Sequence, residues 1–235
     1  MDMIGFIDYC AEHGCDGAEL TSYFFPGDAD EAYFAKLKRH AFLRGVEVSG
    51  TAIGNDFSHG KGEKLDAEVA EAKRWLDKAV MMGAPHVRFF AGTGSGFAKG
   101  DERVEAAVAA LKECADHAGR RGVFIGIENH GGITSELLLQ LVKEVDSPWV
   151  GISLDSGNWV SDDPYADFAR CAPLAVNVQL KVHMPGGKAA DLPRLIGALR
   201  KARYQGYVAL EYESDKPDEE IPGYLAALRK LVGAS

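Results

Sequence analysis

Short apolar runs alternate with longer amphipathic stretches along this chain, and that alternation constrains its fold more than any other feature. The short runs predict strands at residues 17–20, 46–52, 86–91, 123–129, 150–155, 178–183 and 207–212. Between them apolar residues recur at helical spacing, over 30–44, 65–82, 101–120, 135–145, 164–171 and 191–203. Helical patterns at 3–13 and 221–232 open and close the chain. Repeated strand–helix–strand order demands parallel strands joined by crossover helices. The polar strand ends are evenly spaced: Glu128, Asp155, His183 and Glu211 stand 27, 28 and 28 residues apart. Seven strands in this rhythm predict a (β/α)8 TIM-type barrel as one domain over residues 1–235, with no linker or low-complexity break.

One strand is short of the closed count. The chain opens on a helical pattern, and residues 1–4 offer at most a remnant of a first strand. An open parallel edge is adhesive. A gapped barrel, or an edge covered by a neighbouring chain, is therefore expected, which leaves a homo-oligomer open.

Composition narrows the function classes. The net charge is −9, and no Lys/Arg-rich stripe is present to neutralise phosphates, which argues against a nucleic-acid substrate. No apolar run approaches the roughly 18–20 residues of a membrane span. The first residues, MDMIGFIDYCAEHG, carry acids and lack a basic n-region. The four cysteines show no CxxC pairing. A cytoplasmic location with reduced thiols is the expectation.

In barrels of this type the chemistry sits at the C-terminal strand ends. Four successive predicted strands, within "FIGIENHGG", "VGISLDSGNW", "VQLKVHMPGG" and "YVALEYES", end on Glu128, Asp155, His183 and Glu211. Three carboxylates and an imidazole suit one divalent cation such as Mn²⁺, Mg²⁺ or Co²⁺, with Zn²⁺ also accommodated. The plainer reading of each residue alone is a helix cap or a surface acid. Lys181 shares a strand face with His183, and a lysine inside a barrel needs a partner, so carboxylates or substrate are expected around it. Arg88 is expected to pair with substrate or a carboxylate. Glu19 and His130 are candidate substrate contacts, with a structural ion pair and a solvated loop as their respective alternatives. Trp159, Phe24, Phe25 and Phe57 offer an apolar wall or plain packing. The glycine-rich "GTGSG" at 92–96 lacks the Lys-Ser/Thr of a phosphate loop, so a lid is expected there.

The motifs "GIENHGG", "LDSGN", "KVHM" and "ALEYE", supported by "DGAEL" and "VRFFAG", resemble the xylose-isomerase-like barrel superfamily of sugar isomerases and epimerases. That superfamily also includes inosose dehydratases and hydroxypyruvate isomerases. The resemblance spans nearly the whole chain. It implies one divalent metal held by Glu128, Asp155, His183 and Glu211, with Glu128 and Glu211 as the acid–base pair on a ketose or small keto-hydroxy acid. Asn158 falls where related epimerases place a histidine, as a substrate contact. Many relatives continue the strand-seven histidine into Lys-Asp, whereas Met184-Pro185-Gly186-Gly187 follow here. The implied activity is epimerisation or isomerisation through an enediolate. The alternatives are dehydration of a cyclic polyol and non-catalytic sugar binding. Abasic-site repair on the same scaffold needs a histidine-rich three-zinc cluster, which seven scattered histidines and the acidic charge disfavour.

Overall fold

A computed structural model describes residues 1–92, 97 and 100–233. Seven parallel strands form one sheet: β1 (Gly17–Thr21), β2 (Glu47–Ala52), β3 (His86–Phe89), β4 (Phe124–Glu128), β5 (Val150–Asp155), β6 (Ala175–Lys181) and β9 (Val208–Glu211). They pair in chain order, and the sheet curls into a nearly closed barrel. A two-stranded antiparallel hairpin, β7 (His183–Met184) with β8 (Lys188–Ala189), is inserted between β6 and the helix that follows.

The helices are α1 (Met3–Glu12), α2 (Glu31–Arg44), α3 (Glu63–Met82), α4 (Glu102–Arg121), α5 (Ser135–Val145), α6 (Pro164–Cys171), α7 (Leu192–Lys201) and α8 (Pro217–Gly233). Local chemistry explains where they start and stop. Asp2, Asp30, Asp101, Thr134, Asp163 and Asp191 each accept a hydrogen bond from an orphan N–H of the first turn. Left-handed glycines end α2, α3 and α4 at Gly45, Gly83 and Gly122. Each helix lays an apolar stripe on the sheet. One hydrophobic core results, running from Met3 to Leu228 and including the fully buried Phe34, Leu76, Leu111, Ile125 and Phe168.

The expected missing strand is a real feature of this barrel. No sheet hydrogen bonding joins β1 to β9 among the described residues. Side chains bridge the opening instead. Tyr207 Oη donates to Glu47 Oε2, and the Tyr207 ring lies so near Gly17 that a Cβ there would meet it at 2.9 Å. Behind this seam lies a cavity of about 290 Å³, lined among others by Cys10, Gly17, Leu210, Leu228 and Arg229.

The barrel interior is polar towards the C-terminal strand ends and tightly filled below. Gly50 is required there, because a Cβ would stand 2.0 Å from the His86 ring. No described helix is long and apolar enough to cross a membrane.

Candidate active site

The sheet register places the polar strand ends in steps around the mouth. Glu128 is level with Ser153, and Ser153 with Asn177. One layer higher, Asp155 is level with Gln179. Lys181 and Glu211 pair above that. The rising steps follow from the tilt of the strands in a barrel.

Glu128 is buried and fully engaged. Arg88 Nε stands 3.0 Å from its Oε2, and Asn158 Nδ2 donates to its Oε1 at 2.8 Å. Arg88 also donates to the Ile53 carbonyl and lies over the Phe90 ring. Burial pushes the Glu128 carboxyl up to about 7, against the pull of the Arg88 guanidinium. Phe90 packs in turn on His130, whose ring is half-buried and held below its ordinary value by burial and by Arg88. Arg88 and Asn158 thus both engage the Glu128 carboxylate.

Asp155 is completely buried and pinned from both sides. Asn129 reads its backbone twice: Oδ1 accepts from the Asp155 N–H and Nδ2 donates to its carbonyl. The amides of Gly157 and Asn158 donate to Oδ1. The Asp155 carboxyl also hydrogen-bonds the Glu211 side chain. Burial and the adjacent Glu211 carboxyl push Asp155 well above the usual carboxylate range. The Lys181 ammonium stands 3.4 Å from Asp155 Oδ2, 3.2 Å from Glu211 Oε1 and 2.9 Å from Glu213 Oε2. Gly157 makes room for its stem, since a Cβ there would meet Lys181 Cδ at 2.5 Å.

His183 lies past the end of β6, with its carbonyl beside Gly157 in the turn after Asp155. Strand β6 ends at Lys181, and the chain then turns off into the β7–β8 hairpin, where His183 pairs with Ala189. Among the described residues no three His, Cys, Asp or Glu side chains form a group that could hold a metal ion. The inward residues of β6 are Asn177, Gln179 and Lys181. Asn177 donates to both oxygens of Glu19 and to Ser153 Oγ, and Lys181 reaches Asp155, so Gln179 between them faces the same way. Gln179 is 9% exposed, and its Oε1 lacks a partner. It stands level with Asp155.

Among the described residues the Asp155 and Glu211 carboxyls hydrogen-bond each other, and Gln179 Oε1 is buried without a partner. Buried polar atoms need a partner. The donors gathered here are oxygens, the kind that a hard divalent cation prefers. Glu19, bound by Asn177 and 3.6 Å from His86 Nε2, stands on the edge strand β1. Of the two readings of the loop aromatics, plain packing describes Phe57 and Phe25. Phe57 is core, Phe25 packs on Phe34 and Trp75, and Phe24 is exposed; Trp159 is buried, with Nε1 unpartnered. Of the anticipated lid at 92–96, residues 93–96 lie outside the described residues.

Sequence reasoning missed Gln179, Asn177 and Asn129. The signal was present for the first two, because polar residues alternate through "NVQLK".

Solved structures with the same fold extend the comparison. A xylose isomerase domain protein from Planctomyces limnophilus superposes with a TM-score of 0.80 at 16% identity, over 97% of this chain and 91% of that one. D-psicose 3-epimerase with D-tagatose from Clostridium cellulolyticum H10 gives 0.79 at 16%, over 100% and 87%. The probable 3-DHS dehydratase AsbF of Bacillus anthracis gives 0.80 at 16%, over 97% and 93%. At these identities the likeness is one of fold. No curated protein matches the chain. The family described as xylose isomerase-like TIM barrel matches residues 7–231, and with that span and this barrel the chain belongs to the xylose isomerase-like TIM barrel family.

Proposed function

We propose that this protein is an isomerase or epimerase that moves a proton beside the carbonyl of a small sugar-like ketose or keto-hydroxy acid, through an enediolate. The observation that carries this reading is the buried Glu128 carboxyl at the mouth of the barrel. Held up to about 7 by burial, it gives and takes a proton near neutral pH. Glu211, on the other side of Asp155 and Gln179, is the partner acid–base group. Arg88 and Asn158 fix the Glu128 carboxylate in place, so its free orbital directions are set before substrate arrives. His130, packed on the Phe90 ring, is the candidate hydrogen-bond partner of a substrate hydroxyl in this reading. Glu19 faces the same interior and is a further candidate contact.

A hard divalent cation, Mg²⁺ or Mn²⁺, fits the oxygens of Asp155, Gln179 and Glu211 and would supply polarisation of the substrate carbonyl when bound. Gln179 replaces His183 in this reading.

The test is hydrogen exchange between ketose substrates and solvent, read by NMR in D₂O with Mn²⁺ or Mg²⁺ present. Wild-type protein is expected to exchange one C–H adjacent to the carbonyl. Glu128→Gln and Glu211→Gln are each expected to slow this roughly 10²–10⁴-fold. Unchanged exchange in both variants would overturn the assignment. An enone absorbance instead of an epimer signal would mark dehydration on the same scaffold.

A further inference from the structure

Lys181 is an unusual neighbour for a cation site. Its ammonium stands among the very carboxylates that a divalent ion would use, 3.4 Å from Asp155 Oδ2 and 3.2 Å from Glu211 Oε1. Its stem is built in rather than draped. Gly157 leaves the space it occupies, and Ser156 Oγ accepts from the Lys181 N–H at 2.9 Å, fixing the backbone beneath. Two clustered carboxylates in a desolvated mouth repel each other unless one keeps a proton or a positive charge stands between them. Lys181 supplies one such charge.

The supply is incomplete. The Asp155 and Glu211 carboxyls still lean on each other through a shared hydrogen bond, and Gln179 Oε1 has no partner among the described residues although the ammonium is close by. A single ammonium brings one charge and three donors; a divalent ion brings two charges and up to about six oxygen-binding positions. Both cannot hold the space between Asp155 and Glu211 at once. The lysine also has an exit. Glu213, at the rim and 64% exposed, already lies 2.9 Å from Nζ. A lysine that lets go of Asp155 and Glu211 keeps Glu213 as its partner.

We propose that Lys181 is the resident counter-ion of this site: its ammonium holds the place between Asp155 and Glu211 that a divalent cation takes, and cation binding swings the lysine out to Glu213. The inference rests on the reading that this cluster takes a divalent cation. It makes Lys181 a positioning residue that keeps the cation-free barrel mouth intact and weakens cation affinity by competition.

The experiment compares wild-type protein with Lys181→Met, both stripped with chelator, by calorimetric titration with Mn²⁺ alone and by thermal unfolding. Lys181→Met is expected to bind Mn²⁺ about tenfold or more tightly than wild type. Its melting temperature is expected to fall by several degrees without Mn²⁺ and to recover with it. A wild-type readout stands beside these: amine-reactive labelling of Lys181, followed by mass spectrometry, is expected to rise several-fold when Mn²⁺ is added, as Nζ leaves the buried cluster. Equal Mn²⁺ affinity in the two proteins, or Mn²⁺ binding to wild type with no change in Lys181 labelling, overturns the counter-ion role and leaves the cation site standing. No Mn²⁺ binding to either protein removes the cation site, and this inference with it.

Discussion

Glu128 shows at the scale of one residue how burial and charge divide the control of a proton. Desolvation raises its carboxyl to about 7, while Arg88 pulls it down. A carboxyl whose folded value lies above its unfolded value holds its proton more tightly when folded. Its contribution therefore favours the folded chain below the unfolded value, near about 4.3, and is lost as pH rises through 7. Without divalent cation, the wild-type urea midpoint should fall between pH 5 and pH 8 relative to that of Glu128→Gln. The difference should be at most about 3 kcal/mol, from roughly 1.4 kcal/mol per pH unit. Parallel midpoints would show that Glu128 is ionised throughout. The thiols divide in the same way. A hydrogen bond from Cys10, together with Arg229, draws Cys15 down to about 7, whereas burial pushes Cys114 and Cys171 up to about 12. Iodoacetamide at pH 7.5 should therefore label Cys15 first, as read by peptide mass spectrometry; earlier labelling of Cys114 or Cys171 would contradict this.

At the scale of elements, the seven strands of the barrel and all eight helices were legible in the alternation of apolar runs, because each period is written into its own residues. The ends were harder to read. Strand β6 was read as ending two residues late, since "VHM" has strand-like composition but leads into a separate hairpin fixed by Gly186 and Gly187 at positive φ. That reading put His183 in the strand and passed over Gln179. Counting back from Lys181 in steps of two finds Gln179 and Asn177, but only once the strand's last inward residue is known, and tertiary contacts decide that. Asn129 was invisible for another reason. It acts on the backbone of the neighbouring strand, and nothing local to "IENHG" announces that role. The turn after β5 carries its own prediction. A Cβ on Gly157 would stand 2.5 Å from Lys181 Cδ and 3.1 Å from the His183 carbonyl. Gly157→Ala should cost about 1–3 kcal/mol in urea unfolding. An unchanged midpoint would mean that the lysine stem yields freely.

On the scale of the whole molecule, the open seam between β1 and β9 is the main departure from a closed barrel. Strands β4 and β5 each have paired neighbours on both sides, whereas β9 has one, and its residues are only half-buried. Amide hydrogen exchange should therefore be faster in β9 and α8 than in β4 and β5. Equal protection across these elements would mean that the seam is sealed in solution.

A hoop hydrogen-bonded all the way round has a fixed girth; one with a slit does not. Here Tyr207 to Glu47 and Asn177 to Glu19 serve as staples across the slit and the bore. The span from Glu19 on one edge strand to Glu211 on the other is thus set by a few flexible side chains instead of a backbone ladder, and the width of the opening that admits a ligand is tied to how firmly those staples grip.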